Sequence, residues 1–417
     1  MHVIPNMNLL FLGSLYSPHV GGSAEIVLQR LVEGMQGRGH QVCVLVTGPE
    51  AGLHEERVRG IKVFRAGLLN TYWHYSEQQP TPLARLGWHL RDRYNAGMRQ
   101  FLNSVVCREQ IELVVCHTLS GWSVAVWDEL FVLGMPIVQV LDDWYPLCIG
   151  SNMLNGGSRC KEPCPLCRNF RQGHAQRSAQ IDAVVSPSRF LLERLQAAGY
   201  FPNALTRIIV NSRPADEDNV VHLPRGRVLE GEWLRFGFLG TLSRPKGLPW
   251  LIEQFKRLPF NATLQIAGRG RTNDEQELKH LARECKNIQF VGYQPPNLFY
   301  QNIDVAVVPS IWDEPYAMVA VQACAQSVPV IASQRGGLPE IIIDNENGLL
   351  CDPDDPDSLG LAMLRLNGDP TLRQSLASRA RASVATWLDL EGMLDRYDLL
   401  FQEVLHKRGA LHAANTP

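Results

Sequence analysis

Charged side chains follow apolar runs in the second half of the chain, where they could bind a phosphorylated ligand. Arg244 and Lys246 lie in the segment FGFLGTLSRPKG, which also contains Gly240 and Gly247. Two cations in a glycine turn can neutralise a diphosphate, and glycine permits close approach of the backbone to the ligand. A surface loop with two solvated charges is the alternative interpretation of these residues.

Glycines near two further apolar runs extend this pattern. Gly336 and Gly337 directly precede a predicted helix that has Pro339 in its first turn, in the segment SQRGGLPEII. Backbone N–H groups at a helix start bind anions, and the helix dipole favours negative charge there. A plain helix start explains the same residues. The segment LQIAGRG adds Gly268 and Arg269, although it is too short for a dinucleotide-binding fingerprint.

An acid and an amide lie in the segment SIWDEPYAMVAVQACAQSVPVIAS, residues 310–333. Glu314 comes where an apolar strand is predicted to end, and Gln322 lies inside the apolar helix predicted to follow. Open α/β sheets bind their ligands beyond the carboxyl ends of their strands. The position of Glu314 therefore indicates a ligand-facing residue.

The elements that position these residues alternate between strand and helix twice along the chain. In the first half, helices are predicted over 24–38, near 123–133 and over 189–198, between apolar runs such as QVCVLVTG and IELVVCH. After a polar segment over 213–233 the pattern restarts with six further apolar runs. This pattern predicts an α/β protein with two doubly wound, Rossmann-like domains that face each other across a cleft.

The length of 417 residues is too great for one compact core. We predict a first domain over 1–213 and a second domain over 214–385. Helices predicted over 372–382 and 388–405 have no later strand to cover. The part over 386–417 is predicted to form a helix that crosses back to the first domain, followed by a disordered tail.

The composition excludes some classes of function. The chain is 45% hydrophobic and 20% charged, as in ordinary globular proteins, and its net charge of −2 does not favour nucleic acid. No apolar run approaches the roughly 18 residues of a membrane span. The N-terminal residues lack a basic, cleavable signal pattern. We therefore expect a cytoplasmic protein that does not bind nucleic acid.

The ordered motifs resemble those of the family-4 retaining glycosyltransferases of the GT-B fold. In the second half these motifs are GTLSRPKG, AGRG, PSIWDEPYAMVAVQACAQSVPVIAS, GGLPEII and NGLLCDPDD, and in the first half HVGGSAEIVLQRLVEGMQGRGHQVCVLVTG, HTLSGWS and LDDWYPLC. The resemblance implies metal-independent, hexosyltransferase-like transfer from a nucleoside-diphosphate sugar to a saccharide or lipid-linked acceptor. It implies that the second domain binds the donor and that the first domain lies on the acceptor side. It also implies a place in the synthesis of cell-surface polysaccharide or another glycoconjugate.

The resemblance assigns roles to individual residues of the second half. Glu314 matches the family acid that lies near the transferred sugar. Gln322 replaces the Glu that binds the donor ribose, and loses charge assistance of about 1 kcal/mol. Thr241 replaces an Arg that many relatives use to hold the diphosphate, with Arg244 three residues away. The residues assigned here to catalysis or donor binding are Gly240, Thr241, Arg244, Lys246, Gly268, Arg269, Glu314, Gln322, Gly336, Gly337 and Leu338.

In the first half, Gly21 and Gly22 open a predicted helix and suit close approach to a donor phosphate or an acceptor. His117 stands at the carboxyl end of the run IELVVC, where the family often has a histidine that faces the donor. We assign it a catalytic role, with a purely structural histidine as the alternative.

Two other functions remain open, a GT-B-fold epimerase of nucleotide sugars and a non-catalytic subunit that binds nucleotide sugar. The replacements at Thr241 and Gln322 motivate the second. The Asp-x-Asp pairs of CDPDDPD resemble metal ligands of the other large glycosyltransferase fold. Their place between a strand and a helix favours turn formation and N-capping instead.

Four cysteines cluster in the loop CIGSNMLNGGSRCKEPCPLC, namely Cys148, Cys160, Cys164 and Cys167. The loop has little apolar content to fold it, and four thiolates around a zinc ion would hold it closed. We expect structural zinc and no cofactor for catalysis. A disulfide or free thiols are the alternatives.

The stretch PLARLGWHLRDRYNAGMRQFLNSVV is predicted to be helical and mixes arginines with large apolar residues. It could rest on an anionic membrane that holds a lipid-linked acceptor, so that the protein is peripheral on the inner membrane face. An ordinary core helix with a solvated basic face is the alternative.

Overall fold

The computed structural model describes residues 6–19, 22–76, 80–214 and 233–415. The chain divides into two compact units. Unit 1 comprises Met1–Met153, Lys161–Asn211 and Glu391–Pro417, and unit 2 comprises Leu154–Cys160 and Ser212–Leu390. Most of the predicted linker, residues 215–232, lies outside the described residues.

Strands and α-helices alternate along the described residues. The strands are β1 (Asn8–Leu12), β2 (Gln41–Gly48), β3 (Leu53–Val58), β4 (Ile61–Gly67), β5 (Leu113–Cys116), β6 (Ile137–Val140), β7 (Leu154–Asn155), β8 (Ser158–Arg159), β9 (Ala183–Ser186), β10 (Leu205–Ile208), β11 (Leu234–Leu239), β12 (Ala262–Ala267), β13 (Ile288–Gly292), β14 (Val305–Val308), β15 (Val330–Ser333) and β16 (Gly348–Cys351). The helices are α1 (Ser23–Gly37), α2 (Pro82–Asp92), α3 (Arg99–Arg108), α4 (Ala125–Val132), α5 (Pro165–Phe170), α6 (His174–Arg177), α7 (Arg189–Ala197), α8 (Leu248–Lys256), α9 (Thr272–Ala282), α10 (Pro296–Tyr300), α11 (Met318–Ala325), α12 (Leu338–Ile341), α13 (Ser358–Gly368), α14 (Pro370–Ser383) and α15 (Leu390–Asn415).

Unit 1 contains an eight-stranded sheet in the order β10-β9-β6-β5-β1-β2-β4-β3. Its strands are parallel except for β3, which runs antiparallel to β4. The central strands β5, β6 and β9 are buried at every residue, because a parallel sheet has both faces covered. The strand β3 was not predicted, since four of its six residues are exposed and it lacks an apolar run.

Unit 2 contains a six-stranded, wholly parallel sheet in the order β13-β12-β11-β14-β15-β16. All six apolar runs predicted in this half form its strands. The strand order reverses at β11, which pairs with β12 on one side and β14 on the other. The carboxyl ends of β11 and β14 therefore meet at a switch point, the place where open α/β sheets bind ligands. The prediction of two Rossmann-like α/β sheets is confirmed.

Two helical segments differ from the prediction. The stretch over 82–106 is not one helix, since α2 ends at Asp92 and a 3-10 turn precedes α3. Buried Asn95 donates its backbone N–H to Ser123 Oγ and its side-chain amide to the carbonyls of Leu69 and Gly121, so it leaves the helical ladder. The last helix continues to Asn415, through most of the predicted disordered tail, whose alanines favour helix. No helix among the described residues is long and apolar enough to cross a bilayer.

Within unit 1 the helix α15 is anchored by a buried carboxylate. Asp398, whose side chain is 1% exposed, accepts hydrogen bonds from Arg38 Nη1 at 2.7 Å and from His40 Nε2 at 2.8 Å. Burial raises the pKa of Asp398, but the hydrogen bonds from His40 and Arg38 outweigh that effect and hold its pKa below the usual value. Arg38 also pairs with Asp395 at 2.6 Å, although Asp395 is 65% exposed.

We predict that Asp398→Asn destabilises unit 1 by about 2 kcal/mol, because Arg38 and His40 lose a buried anionic partner. Thermal unfolding of the full chain should shift down by several degrees. Asp395→Asn is the matched control and should have little effect, since an exposed ion pair contributes little. Because the pKa of Asp398 is depressed in the folded state, its contribution is present above the usual carboxyl pKa and is lost as the pH falls through the folded value. An unchanged difference between the variant and the wild-type protein at strongly acidic pH would contradict this assignment.

Candidate functional site

In unit 2 the loops after β11 and β14 bring Lys246 and Glu314 together. Lys246 Nζ lies 2.6 Å from Glu314 Oε1, and Ser310 Oγ donates to the same oxygen at 2.6 Å. The Glu314 side chain is only 3% exposed, whereas that of Lys246 is 28% exposed. The cation offsets the cost of burying the carboxylate and still has an accessible side for a further anion. The sequence indicated both residues but not their pairing.

Trp312 also contacts Lys246. This residue was not identified from the sequence. Its ring centroid lies 5.2 Å from Lys246 Nζ, within the range of a cation–π interaction. The indole Nε1 is buried without a hydrogen-bond partner among the described residues. An aromatic residue two positions before the strand-end acid was the available sequence signal.

Glycines allow the strand-end loops of unit 2 to touch backbone to backbone. Gly247 has φ +75°, and a Cβ there would lie 1.7 Å from the carbonyl oxygen of Pro309. A Cβ at Gly268 would lie 1.8 Å from the carbonyl oxygen of Gly240. These contacts fix the loops that carry Lys246 and Glu314, because no other residue fits at such distances.

The turn at Gly336 and Gly337 holds the backbone of Glu314. Gly336 has φ +58°, and a Cβ there would lie 2.2 Å from the carbonyl oxygen of Glu314. The same oxygen accepts the N–H of Gly337 at 2.8 Å, while the N–H of Leu338 donates to the carbonyl of Arg335 at 3.1 Å. The following helix α12 has only four residues, so its dipole is small. In this structure the turn therefore positions the acid, and anion binding by its amides stays a prediction.

The other predicted residues of this half do not join the Lys246–Glu314 pair. Arg244 pairs instead with Glu277 of α9, with Nε 3.3 Å from Oε2, and this contact raises the pKa of Arg244. Thr241 and Arg269 are exposed, and Gln322 is half-buried on α11. Among the described residues, no hydrogen bond or ion pair of the Arg269 or Gln322 side chain is present.

A hairpin of the cysteine-rich loop belongs to unit 2 and reaches the residue before Glu314. Strands β7 and β8 form this hairpin, and Arg159 on β8 pairs with Asp313 at 3.0 Å. The Asp313 side chain is 3% exposed. No sequence signal could have indicated this pair, since its members are 154 positions apart.

In unit 1, His117 follows β5 and Asp142 follows the neighbouring strand β6. Their side chains are each 2% exposed, and His117 Nδ1 lies 3.2 Å from Asp142 Oδ2. The second ring nitrogen, Nε2, is buried without a partner among the described residues. A carboxylate on one nitrogen orients the ring and leaves the other nitrogen for a ligand. The sequence indicated His117 but not its partner.

Asp143, next to Asp142, was also missed. Burial raises its pKa to about 7, and the adjacent Asp142 adds to the rise, although the N–H of Tyr145 lowers it through a hydrogen bond of 2.7 Å. A carboxyl group that titrates near neutrality can give or take a proton. Its place after β6 was the signal that could have identified it.

Gly22 comes directly before α1, as predicted, and is exposed. Its N–H donates to Glu25 Oε2 at 2.8 Å, so this amide already has a hydrogen-bond acceptor in the first turn of α1. Gly21 lies outside the described residues.

Two of the four clustered cysteines have sulfur atoms in contact. Cys148 Sγ lies 3.8 Å from Cys167 Sγ, about the separation of two sulfurs on a tetrahedral zinc ion with Zn–S bonds near 2.3 Å. Hydrogen bonds from the backbone and side chain of Cys167 lower the pKa of Cys164. Cys160 falls in unit 2, whereas the other three belong to unit 1. Among the described residues no group of three or more His, Cys, Asp or Glu side chains has the geometry of a metal site, so zinc stays a prediction.

The acidic run after β16 forms the turn that the sequence predicted. The carboxylates of Asp352 and Asp355 accept the N–H groups of Asp354 and Asp357 at 3.0 and 3.1 Å. Arg335 pairs with Asp354 at 2.6 Å. Asp357 precedes α13 but makes no side-chain capping bond, so the expected N-capping is absent there.

The chain is similar in sequence to known proteins and in fold to solved structures. A protein of 42.6 kDa in the cps region of Klebsiella pneumoniae is 26% identical over 337 residues, which are 80% of this chain and 87% of the relative. The sucrose-phosphate synthase of Thermosynechococcus elongatus superposes with a TM-score of 0.74 at 18% identity, over 96% of this chain and all of the other. HepE of Anabaena, solved in complex with UDP and glucose, superposes with a TM-score of 0.69 at 18% identity, over 95% of this chain and all of the other.

Two family models match the chain in succession. Residues 21–212 match the glycosyl transferase 4-like domain, and residues 228–383 match the glycosyl transferases group 1. Together the two matches span most of the chain. The first covers the strands of the unit 1 sheet except β1, and the second covers all six strands of the unit 2 sheet. The protein therefore belongs to the GT-B glycosyltransferases that combine these two domains.

Proposed function

We propose that the protein is a retaining glycosyltransferase that moves a hexose from a nucleoside-diphosphate donor to a saccharide or lipid-linked acceptor. The observation that supports this most directly is the contact of Lys246 with buried Glu314 at the switch point of unit 2. A cation and an acid side by side suit a ligand that carries a diphosphate next to a sugar. The proposed process is the synthesis of cell-surface polysaccharide or another glycoconjugate.

Lys246 is the proposed stabiliser of the leaving diphosphate. Its ammonium group is fixed by Glu314 and Trp312, and its 28% exposure leaves room for an anionic oxygen. A charge held in place before the reaction stabilises the negative charge that develops on the leaving group. Side-chain cations thus supply the electrostatic stabilisation in this proposal, without a requirement for a metal ion.

Glu314 is the proposed ligand of the sugar. One of its oxygens already accepts hydrogen bonds from Lys246 and Ser310, so the carboxylate has a fixed orientation. Its second oxygen can then accept hydrogen bonds from sugar hydroxyls and position the anomeric carbon. Retention follows if the leaving phosphate assists deprotonation of the attacking hydroxyl on the same face of the sugar.

His117 is the proposed donor-facing residue of unit 1. When Nδ1–H donates a hydrogen bond to the Asp142 carboxylate, Nε2 is the acceptor of the neutral ring and can accept a hydrogen bond from a hydroxyl group. Gly22, at the start of α1, and Asp143, after β6, are the other candidates in unit 1.

The protein is proposed to act in the cytoplasm, in peripheral contact with the inner membrane face. Structural zinc on Cys148, Cys164, Cys167 and Cys160 is part of the same proposal. The 3.8 Å contact of two of these sulfurs supports it, and metal analysis of the purified protein tests it.

A panel of nucleoside diphosphates and nucleotide sugars in thermal unfolding tests the donor class. A true donor raises the unfolding temperature with the logarithm of its concentration over its dissociation constant. UDP-sugars come first, because HepE, of the same fold, was solved with UDP and glucose. Once the donor is known, its consumption is measured with and without an acceptor. A glycosyltransferase consumes the donor and glycosylates the acceptor, an epimerase releases altered sugar without an acceptor, and a non-catalytic subunit binds the donor but does not consume it.

We predict that Lys246→Ala lowers kcat/KM at least about 100-fold, because it removes a fixed charge from the leaving group. The unfolding temperature should also fall, since buried Glu314 loses its cation. Lys256→Ala is the matched control. Its side chain is 29% exposed and pairs with Glu253 on the same helix. Steady-state kinetics with the identified donor measures both variants, and unchanged turnover in Lys246→Ala would refute the proposed role.

We predict that Gly336→Ala lowers transfer activity by more than the backbone strain of an alanine at positive φ explains. The added Cβ would lie 2.2 Å from the carbonyl oxygen of Glu314 and would displace the acid. Gly292→Ala is the matched control. Gly292 also has a positive φ, of +70°, yet a Cβ there has no atom within 4 Å. Both variants carry backbone strain of about 1 kcal/mol, but only Gly336→Ala should reduce transfer strongly. Equal activity of the two variants would show that the Gly336 contact does not position the acid.

A further inference from the structure

Helix α2 of unit 1 exposes a stripe of large apolar side chains. Leu83, Leu86 and Leu90 are 78%, 47% and 56% exposed. At 3.6 residues per turn they lie within an arc of roughly 60°. Trp88 and Asp92, the buried residues of the helix, lie on the opposite side. The stripe therefore points away from unit 1 and has no core to cover.

The stripe continues onto a second helix. Tyr94 follows Leu90 by four residues, is 36% exposed, and donates its hydroxyl to Asp128 of α4 at 2.9 Å. Beside this bond, Phe131 and Val132 at the end of α4 are 52% and 75% exposed, and they line one cleft together with Tyr94. We call these residues the α2–α4 surface: Leu83, Leu86, Leu90, Tyr94, Phe131 and Val132.

The charged residues beside the α2–α4 surface are mainly cations. On α2 the only acid is Asp92, which is 1% exposed, whereas Arg91 is exposed. By helical geometry Arg91 and Arg93 fall on the two flanks of the leucine stripe. The acids of α4 are already engaged, since Arg177 pairs with Asp128 and Arg99 with Glu129. Cations therefore border the apolar side chains, without an unpaired acid on either helix.

We propose that the α2–α4 surface docks on an anionic phospholipid bilayer. Exposed leucines and aromatic rings flanked by arginines are the composition of helices that lie in a membrane interface. Arginine side chains can extend to lipid phosphates while the leucines enter the acyl region. A negatively charged lipid surface complements these flanks, and the apolar residues need an apolar phase. The surface would make the peripheral membrane contact of the proposed function and bring unit 1 to a lipid-linked acceptor, so the inference deepens that function and rests on it.

Vesicle flotation of the full chain tests the proposal. The wild-type protein should bind vesicles that contain phosphatidylglycerol, bind pure phosphatidylcholine vesicles much more weakly, and dissociate as salt rises. Leu83→Ser/Leu86→Ser/Leu90→Ser should reduce binding at least about ten-fold, since three apolar anchors are lost. Arg91→Gln/Arg93→Gln should reduce binding to the anionic vesicles about ten-fold and weaken its salt dependence.

Three exposed leucines outside the surface provide a matched control. Leu298, Leu361 and Leu399 are 50%, 59% and 64% exposed, and their combined replacement by Ser should leave vesicle binding unchanged. Equal loss in both triple variants, or no binding by the wild-type protein, overturns the proposal. A change of oligomeric state in light scattering without a change in vesicle binding assigns the surface to a second copy and also overturns it. Calorimetric binding of nucleoside diphosphate to the same preparations reports on the proposed donor site separately.

Discussion

The pairing of Lys246 with Glu314 is the interaction on which the candidate site of unit 2 depends. A carboxylate that is 3% exposed is costly without a cation, and Lys246 offsets this cost at 2.6 Å. The two residues are 68 positions apart and meet only because β11 and β14 are neighbours in a parallel sheet. The strand order of the unit 2 sheet is therefore required to bring Lys246 and Glu314 into contact.

Backbone contacts make this pairing rigid. Gly247 touches the carbonyl of Pro309, and Gly336 touches the carbonyl of Glu314, each at a distance that excludes a side chain. The two contacts therefore hold the loop 309–314 at its two ends. A loop fixed in this way keeps the acid and the cation in register when a ligand arrives, so that little free energy is spent on ordering them. The glycines that the sequence suggested as phosphate contacts thus have a structural role as well.

The parts of the fold that were predictable are those with a local signal. Buried parallel strands appear in the sequence as apolar runs, so all six strands of unit 2 could be identified, whereas the exposed strand β3 could not. The break between α2 and α3 depends on Asn95 bonding to Leu69 and Gly121, which are distant in sequence. The pairs His117–Asp142 and Arg159–Asp313 have no local signal either, because each depends on which strands and loops become neighbours.

The two departures from the family pattern have different consequences in this geometry. The side-chain amide of Gln322 makes no hydrogen bond within the described residues, so it can serve a ligand hydroxyl at no internal cost. Thr241 carries no charge, and Arg244, three residues further along the chain, is engaged by Glu277. That pair is exposed, at 62% and 50% of the two side chains, and exposed pairs contribute little because water and salt screen them. Arg244 can therefore exchange Glu277 for a diphosphate with small loss, whereas Lys246 cannot leave the buried Glu314. In the proposed site Lys246 would then be a fixed cation that holds the acid in place, and Arg244 would be a mobile cation that binds the diphosphate when the ligand arrives.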